Sequence, residues 1–141
     1  MTNKQFCIYA VDDDEDDRYL IKEALKAYSD CAVTFFADAE SLLADLLNRP
    51  EEKLPALILL DLDMPRVDGY EVLQTLRTNL DLCFIPILVL SATRSEQTVR
   101  KAYQLGANTF MSKPNSFSEM SQLLQLMHTY WLKTVHIPAN P

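Results

Sequence analysis

Glycine is scarce: the 141-residue chain has two, Gly69 and Gly106. Flexible low-complexity linkers are excluded by that shortage, and a tightly specified fold is implied. Basic residues are also in short supply, 13 Lys and Arg against 20 Asp and Glu, for a formal charge of −7. Phosphate backbones are gripped by clusters of Lys and Arg that are missing here, so no DNA partner is expected. No apolar run reaches membrane-spanning length, and no basic stretch followed by an apolar one opens the chain. Neither a membrane span nor a signal peptide is therefore expected. Cysteines number three, far apart and without a CxxC pattern. Cys7, Cys31 and Cys83 read as reduced, mostly buried thiols of a cytoplasmic protein. What is plentiful is apolar residues, 48% of the chain. That is enough for one core, and a single domain over residues 1–141 is expected, with its core at about 4–131 and a short tail at 132–141.

Apolar and amphipathic stretches alternate along the chain. Phe6–Val11 predicts a buried strand, followed by a helix with Leu20, Ile21, Ala24, Leu25 and Tyr28 on one face. Val33–Phe36 predicts a second strand. Asp38 then reads as an N-cap, and Ala39, Leu42, Leu43, Leu46 and Leu47 keep helical spacing. After a polar loop from Pro50 to Pro55, Leu57–Leu60 predicts a third strand. Asp68-Gly69 reads as a turn, and Val72, Leu73, Leu76 and Leu80 mark a third helix. Pro86–Leu90 is the fourth strand, and Thr93-Arg94-Ser95-Glu96 reads as a capping box opening a fourth helix with Val99, Ala102 and Tyr103 on its apolar face. Gly106 takes the place of a left-handed C-terminal cap. Asn108–Met111 is a short fifth strand. Ser116-Phe117-Ser118-Glu119 opens a last helix that buries Phe117, Met120, Leu123, Leu124, Met127 and Trp131. Strand and helix alternating five times imply a parallel sheet with right-handed crossovers and helices on both faces.

Short apolar runs that end in acids carry the chemistry. The first strand runs into six consecutive acids, Asp12 to Asp17; Asp14 suits an N-cap, the later ones suit a helix N-terminus or water, and Asp12 and Asp13 are left at the strand end. Leu57–Leu60 ends in Asp61, with Asp63 two residues on. The fourth strand ends in Ser91 and Thr93, and the fifth in Lys113. In a parallel sheet these carboxyl ends share one edge, where open α/β folds bind ligands. Like charges about 4 Å apart cost on the order of 4 kcal/mol per pair at an effective dielectric near 20, so the acids call for a counter-charge. Hard oxygen ligands suit Mg2+, with Mn2+ able to take its place. An acid, a divalent cation, a lysine and a hydroxyl around one point can manage phosphoryl transfer, and the acid itself can be the nucleophile. His128 and His136 have no ligand spacing and read as neither metal ligands nor phosphorylation sites.

Four motifs in order, Val11-Asp12-Asp13, Leu60-Asp61 with Met64-Pro65 and Asp68-Gly69, Leu90-Ser91-Ala92, and Lys113-Pro114, resemble the receiver domains of two-component response regulators. The likeness covers about Lys4 to Trp131. It implies a flavodoxin-like doubly wound (βα)5 fold with strand order 2-1-3-4-5. It also implies that Asp61 is the phosphoacceptor, receiving a phosphoryl group from a histidine kinase or phosphotransfer protein. Asp12, Asp13, Asp61 and the backbone carbonyl of Asp63 would hold Mg2+, Asp12 mainly through a metal-bound water. Lys113 and Ser91 would bind the phosphoryl group, and Phe110 would be the aromatic switch. Asp63 and Thr93 would tune the dephosphorylation rate, and the Lys113-Pro114 bond would be cis. With no second domain recognised after residue 131, the output would be a downstream protein contact on the fourth helix, fifth strand and fifth helix, near Arg100, Lys101, Tyr103, Gln104 and Phe110. Homodimerisation through that face, or a role as a phosphate shuttle, would fit the same resemblance. A rival is a haloacid-dehalogenase-like phosphatase with Asp61 as nucleophile and Asp63 as general acid. Its acid pair would belong on the first strand, not mid-chain, and a late acidic pair is missing.

Overall fold

The computed structural model describes residues 5–50 and 53–138. Lys4, expected to open the core, loop residues 51 and 52, and the last three residues of the tail lie outside the described residues. Strands and helices alternate as β1 (Phe6–Val11), α1 (Glu15–Leu25), β2 (Cys31–Phe36), α2 (Ala39–Leu47), β3 (Leu57–Leu60), α3 (Gly69–Thr78), β4 (Ile87–Ser91), α4 (Glu96–Gln104), β5 (Thr109–Ser112) and α5 (Phe117–Met127). All five strands pair in parallel, in the order β2-β1-β3-β4-β5.

Alternate strand residues feed two cores. Tyr9, Val11, Ile58, Leu60 and Val89 pack under Leu42 and Leu46 of α2 and Val72, Leu73 and Leu76 of α3. Ile8, Ala10, Leu57, Leu59, Leu88 and Leu90 pack under Ile21, Ala24 and Leu25 of α1 and Met120, Leu124 and Met127 of α5. Each Val, Leu, Ile or Met side chain among these, fully buried, contributes roughly 1.5–3 kcal/mol. Because β3 is apolar on both faces, hydrophobicity alone does not set its register. The carboxylate that follows it does: a one-residue slide would draw Asp61 into the sheet.

Each helix begins on a side-chain cap, Asp14, Asp38, Asp68, Ser95 and Ser116 in turn. Asp68 is thus more than a turn residue, since it accepts the Glu71 N–H. The cap of α4 is Ser95, not Thr93: the Ser95 Oγ accepts the Thr98 N–H, while Thr93 is turned toward Asp63. Leu80 is 87% exposed, because α3 ends at Thr78 and the Asn79 side chain turns the chain by accepting the Asp81 and Leu82 N–H groups. Phe117 opens α5 at 52% exposure, ahead of the first buried residue of that helix, Met120. Tyr103 is also exposed, and the three cysteines are half-buried free thiols. A five-residue π-helical turn, His128–Leu132, continues α5 and carries Trp131.

Gly106 stands after α4 at φ 109°. A Cβ there would lie 2.5 Å from Cγ of Arg77, whose guanidinium donates to the carbonyls of Gly106, Cys83 and Ile85 and to the Asn108 side chain. Gly106→Ala therefore combines backbone strain with displacement of that guanidinium, and should cost about 1–3 kcal/mol. Thermal denaturation followed by circular dichroism should show a Tm lower by roughly 3–10 °C; an unchanged Tm would contradict the assignment.

Candidate functional site

β1 and β3 lie side by side in the sheet, and backbone pairing continues up to the acids at their ends. The Asp61 N–H donates to the Val11 carbonyl and the Asp12 N–H to the Phe36 carbonyl, each at 3.0 Å. Asp12 and Asp61 are each 3% exposed, whereas Asp13 stands in solvent. Carboxylate oxygens of Asp12, Asp13 and Asp61 all lie within 4.8 Å of one another. Gly69 lets α3 start against this edge: a Cβ on it would sit 2.8 Å from the Asp61 carbonyl oxygen and 2.6 Å from the Leu62 Cα.

Lys113 follows β5, its backbone N–H donating to the Ser91 carbonyl at 2.9 Å. Its ammonium lies 2.8 Å from Asp17 Oδ2, 2.9 Å from Asp12 Oδ2 and 3.5 Å from Asp61 Oδ2. No peptide bond among the described residues is cis. The Lys113-Pro114 bond is therefore trans, correcting the expectation; trans is the favoured isomer of an X-Pro bond by about 0.5–1 kcal/mol.

Burial, reinforced by the Asp12 charge, pushes the Asp61 carboxyl up to about 7, against the opposing charge of Lys113 and the Asp63 N–H. Burial likewise raises Asp12, opposed by Lys113 and by the Asp14 N–H that its Oδ1 accepts at 2.9 Å. Burial on its own would depress the Lys113 ammonium, but the hydrogen bonds to Asp17 and Asp12 and the nearby carboxylate charges outweigh it and raise its pKa. The donor set of Asp12, Asp13 and Asp61 is all oxygen and anionic, which fits a hard divalent cation. Such an ion, when bound, supplies the charge that lets these acids ionise together.

The remaining expected residues sit around this group. Ser91 is fully buried at the end of β4. Its hydroxyl and that of Thr93 reach the Asp63 carboxylate at 3.5 and 3.4 Å, and the Thr93 N–H donates to the Ser91 Oγ. The Asp63 side chain thus spans from the β3 end to the β4 end. Phe110 is half-buried against the core, and its N–H donates to the Tyr103 hydroxyl at 3.1 Å. A cleft of about 560 Å3 opens over the acids, and Arg94 also lines it.

Three residues escaped the sequence reading. Asp17 is paired with Lys113 rather than solvated. Arg18 donates to the Asp12 carbonyl at 2.7 Å. Arg94, read only as part of a cap, stands at the cleft. For Asp17 the helical period gave no signal, since α1 begins at Glu15 after the extended cap Asp14 and Asp13 lies outside it. His128 is neither free nor at the acid edge: it bonds Asp30 at 2.9 Å and stacks on Tyr28, and Lys133 holds the same carboxylate at 2.7 Å. A hollow of about 810 Å3, bordered by Cys7, Trp131 and His136, lies at the opposite, amino-terminal edge of the sheet.

The family model for the response regulator receiver domain matches residues 8–125. Response regulator Rcp1 of Synechocystis sp. is 33% identical over 98% of this chain and 97% of its own length. The solved Mn(2+)-bound form of response regulator Rcp1 aligns with a TM-score of 0.84 at 33% identity, over 95% of this chain and 99% of that one. The phosphorylated cyanobacterial phytochrome response regulator RcpA aligns at 0.88 and 32% identity, over 95% and 99%. The chain belongs to the response regulator receiver family and is a phosphorylation-dependent signalling module of two-component systems. The phosphatase alternative finds no support in these matches. No helix among the described residues is long and apolar enough to cross a membrane.

A raised Asp61 pKa has a defined sign in stability. The folded protein keeps this proton up to about pH 7, while the unfolded chain loses it near the ordinary carboxylate value of about 3.9. The stabilisation is therefore complete below that lower value and lost as pH rises through 7. Without added cation, Asp61→Asn should be more stable than the wild type at pH 8, and the gap should close toward pH 4. Urea unfolding at both pH values measures it; equal stabilities at pH 8 would refute the assignment.

Proposed function

We propose that Asp61 is the phosphoacceptor of this receiver and that the site works with Mg2+, or Mn2+, held by Asp12, Asp13, Asp61 and the Asp63 carbonyl. The observation that carries this is the meeting of two buried carboxylates, Asp12 and Asp61, with the Lys113 ammonium at the end of the sheet. Asp61 is the nucleophile, and a divalent cation held by these residues would supply charge neutralisation for the transferred group. Lys113 offers its ammonium to the phosphoryl oxygens. Ser91 leaves its long contact with Asp63 and donates to the same group. Once Ser91 has moved, Phe110 turns inward. Asp63, which lines the cleft, and Thr93, whose hydroxyl bonds its carboxylate at 3.4 Å, set how long the phosphoryl group lasts.

The phosphodonor is a histidine kinase or histidine phosphotransfer protein. The phytochrome response regulator among the neighbours makes a phytochrome-type kinase the first to try. The output surface is α4, β5 and α5, and its target is a downstream protein in the cytoplasm or a second copy of this chain. The Tyr103 hydroxyl accepts the Phe110 backbone N–H, tying α4 to β5, and Lys101 of α4 lies over the Tyr70 ring of α3 at 4.2 Å. Residues 8–125, the span that the family model matches, act together as one receiver.

With Mg2+ and acetyl phosphate the protein should gain one acid-stable, base-labile phosphoryl group, detected by intact mass. Asp61→Asn should gain none, and Lys113→Ala should be slowed by roughly a hundredfold or more. A wild type inert to both acetyl phosphate and beryllofluoride would sink the reading.

A further inference from the structure

Asp17 has no place in the scheme just given, yet it makes the shortest contact to the Lys113 ammonium. The distances run 2.8 Å to Asp17, 2.9 Å to Asp12 and 3.5 Å to Asp61. An ammonium has three N–H donors and no acceptor; Asp17 and Asp12 take two of them as hydrogen bonds, and Asp61 at 3.5 Å meets the ammonium through charge alone. The three acceptors differ in surroundings. Asp12 and Asp61 are nearly fully buried, and their oxygens belong to the group that can hold a cation. The Asp17 side chain is 25% exposed and belongs to no such group among the described residues. Its backbone is fixed as well, because the Asp14 cap accepts the Asp17 N–H at 3.0 Å at the start of α1. Asp17 is thus the one partner of Lys113 that is firmly placed and has no second duty at the acid edge.

We propose that Asp17 is a positioning residue for phosphoryl transfer. It anchors Lys113 from α1, so that the donor now facing Asp61 at 3.5 Å is already aimed where the phosphoryl oxygens arrive. A lysine side chain has large rotamer freedom, and losing it before the reaction removes that cost from the barrier. The step served is simple. An Asp61 oxygen forms a bond to phosphorus as the phosphorus–oxygen bond to the acetyl group breaks. Acetate leaves with the electron pair, and no proton has to move. Lys113 keeps one donor on Asp17 throughout and gives the one facing the Asp61 carboxylate to the phosphoryl group.

The proposal rests on Asp61 as phosphoacceptor, and its sign separates it from a charge effect. Removing an acid from this edge should, by charge alone, favour an anionic phosphodonor. Loss of an anchor does the opposite. In Asp17→Ala the phosphorylation rate constant at saturating Mg2+ and acetyl phosphate should fall roughly ten- to a hundredfold. Beryllofluoride binding should weaken, while Mn2+ affinity measured by calorimetry should stay within about twofold of wild type, an allowance that is small on the scale of 1.4 kcal/mol per tenfold. Asp17→Glu, which keeps the carboxylate, should recover part of the rate. Asp16→Ala makes the same charge change without a Lys113 contact and should not be slowed. In a Lys113→Ala background, Asp17→Ala should add no further loss. An undiminished rate in Asp17→Ala, or an additive loss without Lys113, would overturn the role. A wild type that takes up neither phosphoryl group nor beryllofluoride would instead remove the phosphoacceptor reading on which it stands.

Discussion

An excess of carboxylate over ammonium at one edge of the sheet is the constraint on which the rest depends. Oxygens of Asp12, Asp13 and Asp61 gather within 4.8 Å, Asp17 stands beside them, and Lys113 is the cation that three of these acids share. At an effective dielectric near 20, each like-charge pair at about 4 Å costs on the order of 4 kcal/mol. The fold sustains this because the apolar strands beneath are buried on both faces and hydrogen-bonded up to the acids themselves. A divalent cation at this edge would offset that repulsion.

The run of six acids after β1 divides its labour by geometry. Asp12 belongs to the buried edge and Asp13 to its exposed rim. Asp14 caps α1 and thereby fixes the backbone of Asp16 and Asp17. Asp17 reaches back to Lys113, while Glu15 and Asp16 face solvent. The extended cap Asp14 and the first residues of α1 separate the strand-end acids from Asp17, so a strand, a cap and a helix start gather these acids from contiguous residues.

The fold was legible because its signals are local and periodic. Buried parallel strands read as unbroken apolar runs, and caps such as Asp14, Asp38 and Ser116 stand at the breaks. The acids, Ser91 and Lys113 were legible because each terminates a strand, and a parallel sheet brings such ends to one edge. Less accessible were contacts chosen by side-chain direction. Ser95 rather than Thr93 caps α4 because Thr93 is taken by Asp63. Leu80 keeps helical spacing but lies beyond the point where Asn79 turns the chain. Asp17 looked solvated within an acid run, since nothing in the chain order links it to a lysine from β5.

The most direct test is the ionisation of Asp61 itself, followed by 13C NMR of its side-chain carboxyl in the cation-free protein. A titration midpoint near 7 is expected, from the burial and the Asp12 charge that act on it, and saturating Mg2+ should move the midpoint well below that value. A carboxyl that titrates near the ordinary value of about 3.9 without cation, and does not respond to Mg2+, would contradict the account.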